Sequence, residues 1–179
     1  MLPLQGKKCQ GNGVGTELEN DGNKEENKKN NTNKFQIMKK IIFAVLAMMA
    51  TMSASAFDFD GINLNASVNK ITAEIAKRGY SYADDMDGFT GVCQGTKIFL
   101  KLNWKDVKES GRLGQLIVDI PMEDKNAVAT ITKTFNVIYH VAEGGKANTY
   151  DVSTDGTTVE VLSVNGGVRL VYSTPYYKK

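Results

Sequence analysis

The chain has 179 residues, with 41% hydrophobic and 23% charged content and a formal net charge of +2. Length allows one domain or two small ones, and these proportions exclude collagen-like, disulfide-scaffold and wholly disordered classes. One histidine and two cysteines cannot form a structural zinc site of four cysteines, or of two cysteines and two histidines, within one chain.

Residues 1–37 carry no apolar periodicity and are rich in Gly, Lys, Asn and Glu, so we expect them to lie outside the folded domain. They are interpreted as a start codon assigned too early, or as a disordered cytoplasmic extension that is removed with the segment that follows. Cys9 belongs to this part.

Residues 38–56 are predicted to be a signal peptide. Met38-Lys39-Lys40 precede the apolar run 41–52, and the small residues Ala54 and Ala56 form an A-x-A pattern before Phe57. A transmembrane anchor is the competing interpretation, but the apolar run is shorter than the roughly 20 residues that a spanning helix needs. We therefore expect cleavage after Ala56, no membrane anchor, and a periplasmic or secreted product.

The predicted mature chain is a single domain, residues 57–179, with 14 basic and 15 acidic side chains. This near-neutral charge disfavours nucleic acid as a partner, because neutralising a phosphate backbone needs several clustered cations. Cys93 is its only cysteine, which excludes an internal disulfide.

In chain order, the pattern predicts a first helix from an N-cap at Asn65 or Ser67 to Gly79. A short strand is predicted at 80–83, before the hairpin turn dipeptide Asp87-Gly88. Further strands are predicted after this turn, with the clearest alternation over 97–104 and a strand that ends at Pro121. A second helix is predicted from Asp124 to Gly144-Gly145, with Val128, Ile131, Phe135 and Ile138 facing inward.

Three strands are predicted after the second helix, at 149–153, 158–164 and 168–173, with turns at Asp155-Gly156 and Asn165-Gly166. The order of helix, strands, helix, strands predicts an α+β fold: two helix-plus-antiparallel-meander repeats, with the helices packed on one face of an antiparallel sheet.

A family resemblance rests on the run 59–64, the helix end Lys77-Arg78-Gly79-Tyr80 and the closing hairpin 159–172. These segments resemble small secreted proteins of unknown function from Bacteroidota, several of which are similar in fold to the β-lactamase-inhibitor protein. The resemblance implies an inhibitor-like binding role and carries over no catalytic residue.

Chemistry-bearing residues are few. Cys93 with His140 is the one pair that could supply a thiol nucleophile and a base, but neither has a neighbouring motif, so a small hydrolase ranks last among the alternatives. The cluster Asp84-Asp85-Met86-Asp87-Gly88 lacks the spacing of a calcium loop, and a solvated acidic turn is the preferred interpretation over a weak calcium site. No metal or other cofactor is expected.

Aromatic side chains on or near the strands are the remaining candidates, because tyrosine and tryptophan on an open sheet face would form a binding hot spot. We predict an exported, non-enzymatic module that binds an extracytoplasmic protein or glycan. The alternative is a periplasmic accessory subunit of an envelope complex. The candidate ligand-binding residues are Tyr80, Tyr82, Trp104, Tyr172, Tyr176 and Tyr177.

Overall fold

The computed structural model describes residues 57–93, 95–144 and 146–178. All of these residues lie in one compact unit. The predicted N-terminal extension and signal peptide, residues 1–37 and 38–56, lie outside the described residues. Neither described α-helix has the length and apolar character needed to cross a bilayer.

The described residues form ten strands, two α-helices and one short 3₁₀ helix. The strands are β1 (Asp58–Phe59), β2 (Ile62–Asn63), β3 (Ser81–Ala83), β4 (Gly88–Cys93), β5 (Thr96–Asn103), β6 (Gln115–Pro121), β7 (His140–Val141), β8 (Thr149–Asp151), β9 (Thr158–Val164) and β10 (Gly167–Ser173). The helices are α1 (Val68–Lys77) and α2 (Ala127–Ile138), and the 3₁₀ helix is Asp84–Met86.

Eight strands form one antiparallel sheet in the order β3-β4-β5-β6-β10-β9-β8-β7, and β1 and β2 form a separate two-stranded sheet. The centre of the large sheet is the pair β6 and β10, which are in register from Gly167 opposite Pro121 to Ser173 opposite Gln115. This long central pair joins the earlier and later strands of the chain into one continuous sheet.

Helix α1 has the predicted bounds. Ile71 and Ile75 are buried on one face, and Gly79 follows the helix with a φ of +81°, a left-handed conformation that glycine adopts without strain. Ser67 is the N-cap residue, but its side chain makes no capping hydrogen bond.

Helix α2 is shorter than predicted. The Asp124 carboxylate accepts a hydrogen bond from the Asn126 backbone N–H at 2.8 Å, before the helix begins at Ala127. The helix ends at Ile138 because Tyr139 turns to extended backbone and packs its ring edge-on against Phe135, at 5.5 Å between centroids. Ile138 is therefore 48% exposed and not inward-facing.

The core is a single cluster on one side of the large sheet. Alternate residues of each long strand are buried in it, as period-2 side-chain alternation requires. It also contains Ile71 and Ile75 of α1, Ile131 and Phe135 of α2, and Phe59 of β1.

The predicted architecture of two helix-plus-meander repeats, with helices packed on one face of the sheet, is wrong. The described residues form mainly antiparallel sheet, eight strands plus two, with only two α-helices. The physical reason is the long β6–β10 pair at the centre, which joins the strands of both halves directly, so the strands do not divide into two separate meanders. The backbone of α1 also lies closest to β2 of the small hairpin, whereas α2 lies against β9 and β10. Sequence alternation identifies strands but carries no information on which strands become neighbours.

Candidate functional site

The six aromatic residues predicted to bind a ligand do not form one surface. Tyr82 and Trp104 are 53% and 48% exposed, whereas Tyr80 and Tyr172 are buried at 4% and 0%. Tyr176 and Tyr177 are partly buried. The prediction that these side chains are exposed for binding is therefore wrong for Tyr80 and Tyr172, which belong to the core.

Tyr82 lies on β3, at one edge of the large sheet. Its ring contacts Phe89 edge-on, at 5.2 Å between centroids, and its hydroxyl donates a hydrogen bond to the Asp87 carboxylate at 3.1 Å. The same carboxylate pairs with Lys101 at 3.1 Å. These bonds to Lys101 and Tyr82 lower the pKa of Asp87, so the predicted acidic turn is held by neighbours of this chain.

Trp104 lies in a groove of about 740 Å³, which we call the Trp104 groove. It has a first wall in α1, a second wall in the loop between β5 and β6, and a contribution from the C-terminal segment. Its lining residues are Val68, Asn69, Thr72, Trp104, Lys105, Asp106, Val107, Ser110, Gly111 and Lys178. An exposed indole beside amide, hydroxyl and charged groups makes this surface suited to a polar ligand with an apolar face.

The loop that carries Trp104 begins with a side-chain turn. The Asn103 Oδ1 atom accepts a hydrogen bond from the Lys105 backbone N–H at 3.1 Å, which redirects the chain at the end of β5. Asp106 then has a φ of +32°, a left-handed value that non-glycine residues rarely adopt. The Gly114 N–H closes the loop by donating to the Asn103 carbonyl at 2.9 Å.

Two neighbouring segments hold the loop in place. On one side, the Lys178 N–H donates to the Asp106 carbonyl at 2.8 Å, and the Lys108 N–H donates to the Tyr176 carbonyl at 2.7 Å. On the other side, the Val68 N–H donates to the Gly111 carbonyl at 3.0 Å. The groove is therefore formed before a ligand arrives, which lowers the ordering cost of binding.

Tyr176 and Tyr177 support the groove from outside it. Tyr177 forms a β-bridge with Val107, and the Arg112 guanidinium lies over the Tyr176 ring at 5.0 Å. Arg112 also donates to the Asn65 carbonyl at 2.7 Å, which ties the loop to the start of α1. Of the six predicted residues, the structure thus brings three together, Trp104, Tyr176 and Tyr177.

The charged lining residues of the groove are two lysines and one aspartate. Among the described residues, neither Lys105 nor Lys178 makes an ion pair within 4 Å. With Asp106, the lining carries a net charge of +1. The groove therefore offers two cations to a ligand beside the exposed face of Trp104.

The face of the large sheet opposite the core is a second candidate surface, which we call the open face. The register places Phe99, Ile117, Val171 and Leu162 on adjacent strands of this face, and all four are partly exposed. Arg169 and Asp119 form a bidentate ion pair among them, at 2.7 and 2.8 Å.

Cys93 and His140 cannot act together. Cys93 is on β4 and His140 on β7, six inter-strand steps apart in the sheet order, or roughly 29 Å at about 4.8 Å per step. Cys93 is also 2% exposed, and burial raises its pKa to about 11. The hydrolase alternative built on this pair does not fit the structure.

Among the described residues, no group of three or more His, Cys, Asp or Glu side chains is arranged to hold a metal ion. Comparison with known proteins finds no family model, no curated protein and no solved structure that matches this chain. The resemblance to secreted Bacteroidota proteins therefore stays a prediction.

The polar wall of the groove, Asn69 and Thr72, was not predicted from the sequence. Asn69 is exposed and Thr72 is half-buried at the flank of the apolar face of α1, where polar residues are ordinary, so no local signal distinguishes them. Lys178 was likewise missed, because its position beside Trp104 depends on the pairing of the C-terminal segment with the β5–β6 loop.

Proposed function

We propose that the protein is an exported, non-enzymatic binding module that takes an acidic glycan in the Trp104 groove. The observation that carries the proposal is the single tryptophan, exposed in a preformed polar groove, beside two lysines that form no ion pair with any described carboxylate. The signal peptide predicted at residues 38–56 supports export to the periplasm or the exterior.

A sugar ring fits this chemistry because it has an apolar C–H face and a rim of hydroxyl groups. The apolar face stacks on the Trp104 indole, and Asn69 and Ser110 offer donors and acceptors to the hydroxyls. The Thr72 hydroxyl donates its proton to the Val68 carbonyl at 2.9 Å, so its oxygen is left as an acceptor. A carboxylate on the sugar pairs with Lys105 or Lys178, which a neutral sugar leaves unused.

The test uses the fluorescence of Trp104, which is the only tryptophan of the chain and therefore reports on the groove alone. The purified protein is titrated with neutral and uronic-acid oligosaccharides at low and high salt. We expect the acidic series to change the Trp104 emission, with an affinity that falls as salt rises. A full panel of both classes that leaves the emission unchanged would overturn the proposal.

Variants locate the binding within the groove. Trp104→Ala is expected to weaken binding, measured by calorimetry, by about tenfold or more, equivalent to about 1.4 kcal/mol. Trp104→Phe keeps an aromatic face and is expected to retain part of the affinity that Trp104→Ala loses. Tyr82→Ala is the matched control, because Tyr82 is equally exposed but lies on the edge strand β3. Equal losses for Trp104→Ala and Tyr82→Ala would contradict the assignment to the groove.

Lysine variants test the preference for acidic sugars. Lys105→Gln and Lys178→Gln are expected to reduce the preference for acidic over neutral sugars, whereas Lys133→Gln on the exposed side of α2 leaves it unchanged. A preference for acidic sugars that persists when both groove lysines are replaced would show that other residues bind the sugar carboxylate.

The open face supports a second candidate function, an accessory subunit that docks on another envelope protein. Phe99, Ile117, Val171 and Leu162 give it an apolar centre, as protein interfaces require. Val171→Glu is expected to release a discrete partner that co-purifies under mild extraction, and Lys133→Glu is expected to retain it. A monomer that shows no partner by crosslinking and by mass measurement would contradict this candidate.

A further inference from the structure

Phe57, the first described residue, is held firmly in the core. It is 3% exposed, and its ring stacks on that of Tyr172 at 4.9 Å between centroids and an interplanar angle of 25°. Its carbonyl accepts a hydrogen bond from the Leu64 N–H at 3.2 Å. Both its ring and its backbone are thus fixed by the folded domain.

The backbone nitrogen of Phe57 faces a carboxylate. It lies 3.3 Å from the Oδ2 atom of Asp155, which also accepts a hydrogen bond from the Asn65 side chain at 2.7 Å. The Oδ1 atom of Asp155 accepts from the Thr157 N–H at 2.8 Å. Burial alone would raise the pKa of Asp155, but these hydrogen bonds outweigh it and hold the pKa below its ordinary value. The carboxylate is therefore ionised at neutral pH.

The predicted cleavage site is the bond that ends at this nitrogen. Hydrolysis by a peptidase breaks the Ala56–Phe57 C–N bond, adds the hydroxyl group of water to the Ala56 carbonyl carbon and transfers the remaining proton of water to the nitrogen, which becomes the free amine of Phe57. The amine takes up a proton at neutral pH, because a free α-amino group has a pKa of about 7.7–8.0. The neutral N–H beside Asp155 becomes an ammonium group.

We propose that Asp155 is the receptor for a new N-terminus generated by cleavage before Phe57, and that Phe57, Tyr172 and Asp155 form an N-terminal latch. Cleavage replaces an amide–carboxylate hydrogen bond, in which only the acceptor is charged, with an ammonium–carboxylate ion pair, which adds the attraction between two opposite charges. Removal of the leader therefore stabilises the exported domain. The latch rests on the export part of the proposed function, and it is independent of the ligand of the Trp104 groove.

The first measurement is the N-terminus of the native protein, by intact mass and terminal sequencing. A native chain that begins at Phe57 supports the latch. A native chain that begins elsewhere overturns both the predicted processing and the latch, whatever the groove binds.

The second measurement compares two purified proteins that differ by one residue, one beginning at Phe57 and one at Ala56, each released from a cleavable fusion. Both proteins contain every residue of the core cluster that the described residues form. The extra residue moves the ammonium group away from Asp155 by about 3.8 Å, one Cα–Cα step. We expect the chain that begins at Phe57 to have an unfolding equilibrium constant about tenfold lower at pH 7.

The stability difference between the two chains should depend on pH in a direction that the ammonium group determines. The ammonium group gains a partner on folding, so its pKa is higher in the folded than in the unfolded protein, and its contribution is complete below about pH 7.7. We expect the difference between the two chains to vanish as the pH rises past the folded-state pKa. Asp155 stays ionised over this range, and burial raises the pKa of Tyr172, so that its hydroxyl stays neutral.

Asp155→Asn is the matched variant, and it is expected to abolish the difference between the two chains. Equal stability of the two unsubstituted chains at pH 7, or a difference that survives in Asp155→Asn, overturns the latch. The comparison of unsubstituted chains and its pH profile stand even where Asp155→Asn does not fold. A chain found to begin at Phe57 but without coupling to Asp155 overturns the latch alone and leaves the glycan proposal intact.

Discussion

Two buried tyrosines differ in whether the hydroxyl has a hydrogen-bond partner. This difference decides whether replacement by phenylalanine lowers or raises the free energy of unfolding. Tyr150 and Tyr172 are 1% and 0% exposed, and both are in the core cluster. The Tyr150 hydroxyl donates to the Thr132 carbonyl at 3.3 Å. The Tyr172 hydroxyl has no hydrogen-bond partner among the described residues. Replacement by phenylalanine removes only the hydroxyl and keeps the ring contacts in each case.

The expected changes in the free energy of unfolding have opposite signs. Tyr150→Phe removes a long hydrogen bond and is expected to cost about 0.5–1 kcal/mol. Tyr172→Phe removes a buried hydroxyl without a partner, whose desolvation penalty is about 1–3 kcal/mol, so we expect a gain of about 1 kcal/mol. Its stacking on Phe57 and Phe59 is unchanged.

Urea unfolding followed by far-UV circular dichroism measures both variants against the unsubstituted protein. With a slope of about 2 kcal/mol per molar urea, the midpoint should rise by about 0.5 M for Tyr172→Phe and fall by about 0.25–0.5 M for Tyr150→Phe. Tyr172→Ala, which empties the site, should cost about 3–5 kcal/mol and shows that the ring itself is needed. A lower midpoint for Tyr172→Phe would refute the reasoning, since it would mean that the hydroxyl is satisfied.

Four further results are expected. Cys93 should react slowly with a thiol reagent at pH 8 and at a normal rate in urea, because burial raises its pKa to about 11; fast reaction of the folded protein would contradict its burial. Burial raises the pKa of Asp58, so its ionisation opposes folding and stability falls as pH rises through that pKa. Asp58→Asn should therefore raise the melting temperature at pH 7 but not at pH 3. An equal rise at both pH values would exclude a charge effect. Arg169→Lys loses its bidentate ion pair and should cost about 0.5 kcal/mol in urea unfolding, with a smaller loss in 1 M NaCl; no salt dependence would contradict the ion pair. Truncation after Pro175 should shift Trp104 emission to longer wavelength and abolish ligand binding while unfolding stays cooperative; unchanged emission would show that the C-terminal segment does not shape the groove.

Local signals in the sequence predicted individual elements well. The strand 158–164 is confirmed at its predicted bounds, because Asn165-Gly166 marks the hairpin turn and β-branched residues flank it. Helix α1 is confirmed because its apolar spacing and Gly79 agree. Each of these signals lies within a few residues of the element that it predicts.

The errors come from two different sources. The β1–β2 hairpin was missed although its signal was present, since Asp60-Gly61 is a turn dipeptide between apolar residues and both have positive φ. The end of α2 was missed because Tyr139 leaves the helix to pack on Phe135, a tertiary contact that no local pattern reveals. The strand order of the eight-stranded sheet was not predicted for the same kind of reason, since strand order is a property of long-range pairing.

The Trp104 groove shows why the candidate site was predictable only in part. Aromatic residues near strands can be selected from the sequence as binding candidates, and Trp104 was one of them. Its neighbours come from α1, from the β5–β6 loop and from Lys178, which are far apart in the chain and meet only because backbone hydrogen bonds join the loop to both other segments. The backbone hydrogen bond from the Lys178 N–H to the Asp106 carbonyl therefore helps to shape the groove, and Lys178→Pro, which removes that N–H, should weaken binding more than Lys178→Gln, which keeps it. From the sequence alone, without the pairing of the C-terminal segment with the β5–β6 loop, Lys178 is indistinguishable from an ordinary surface lysine.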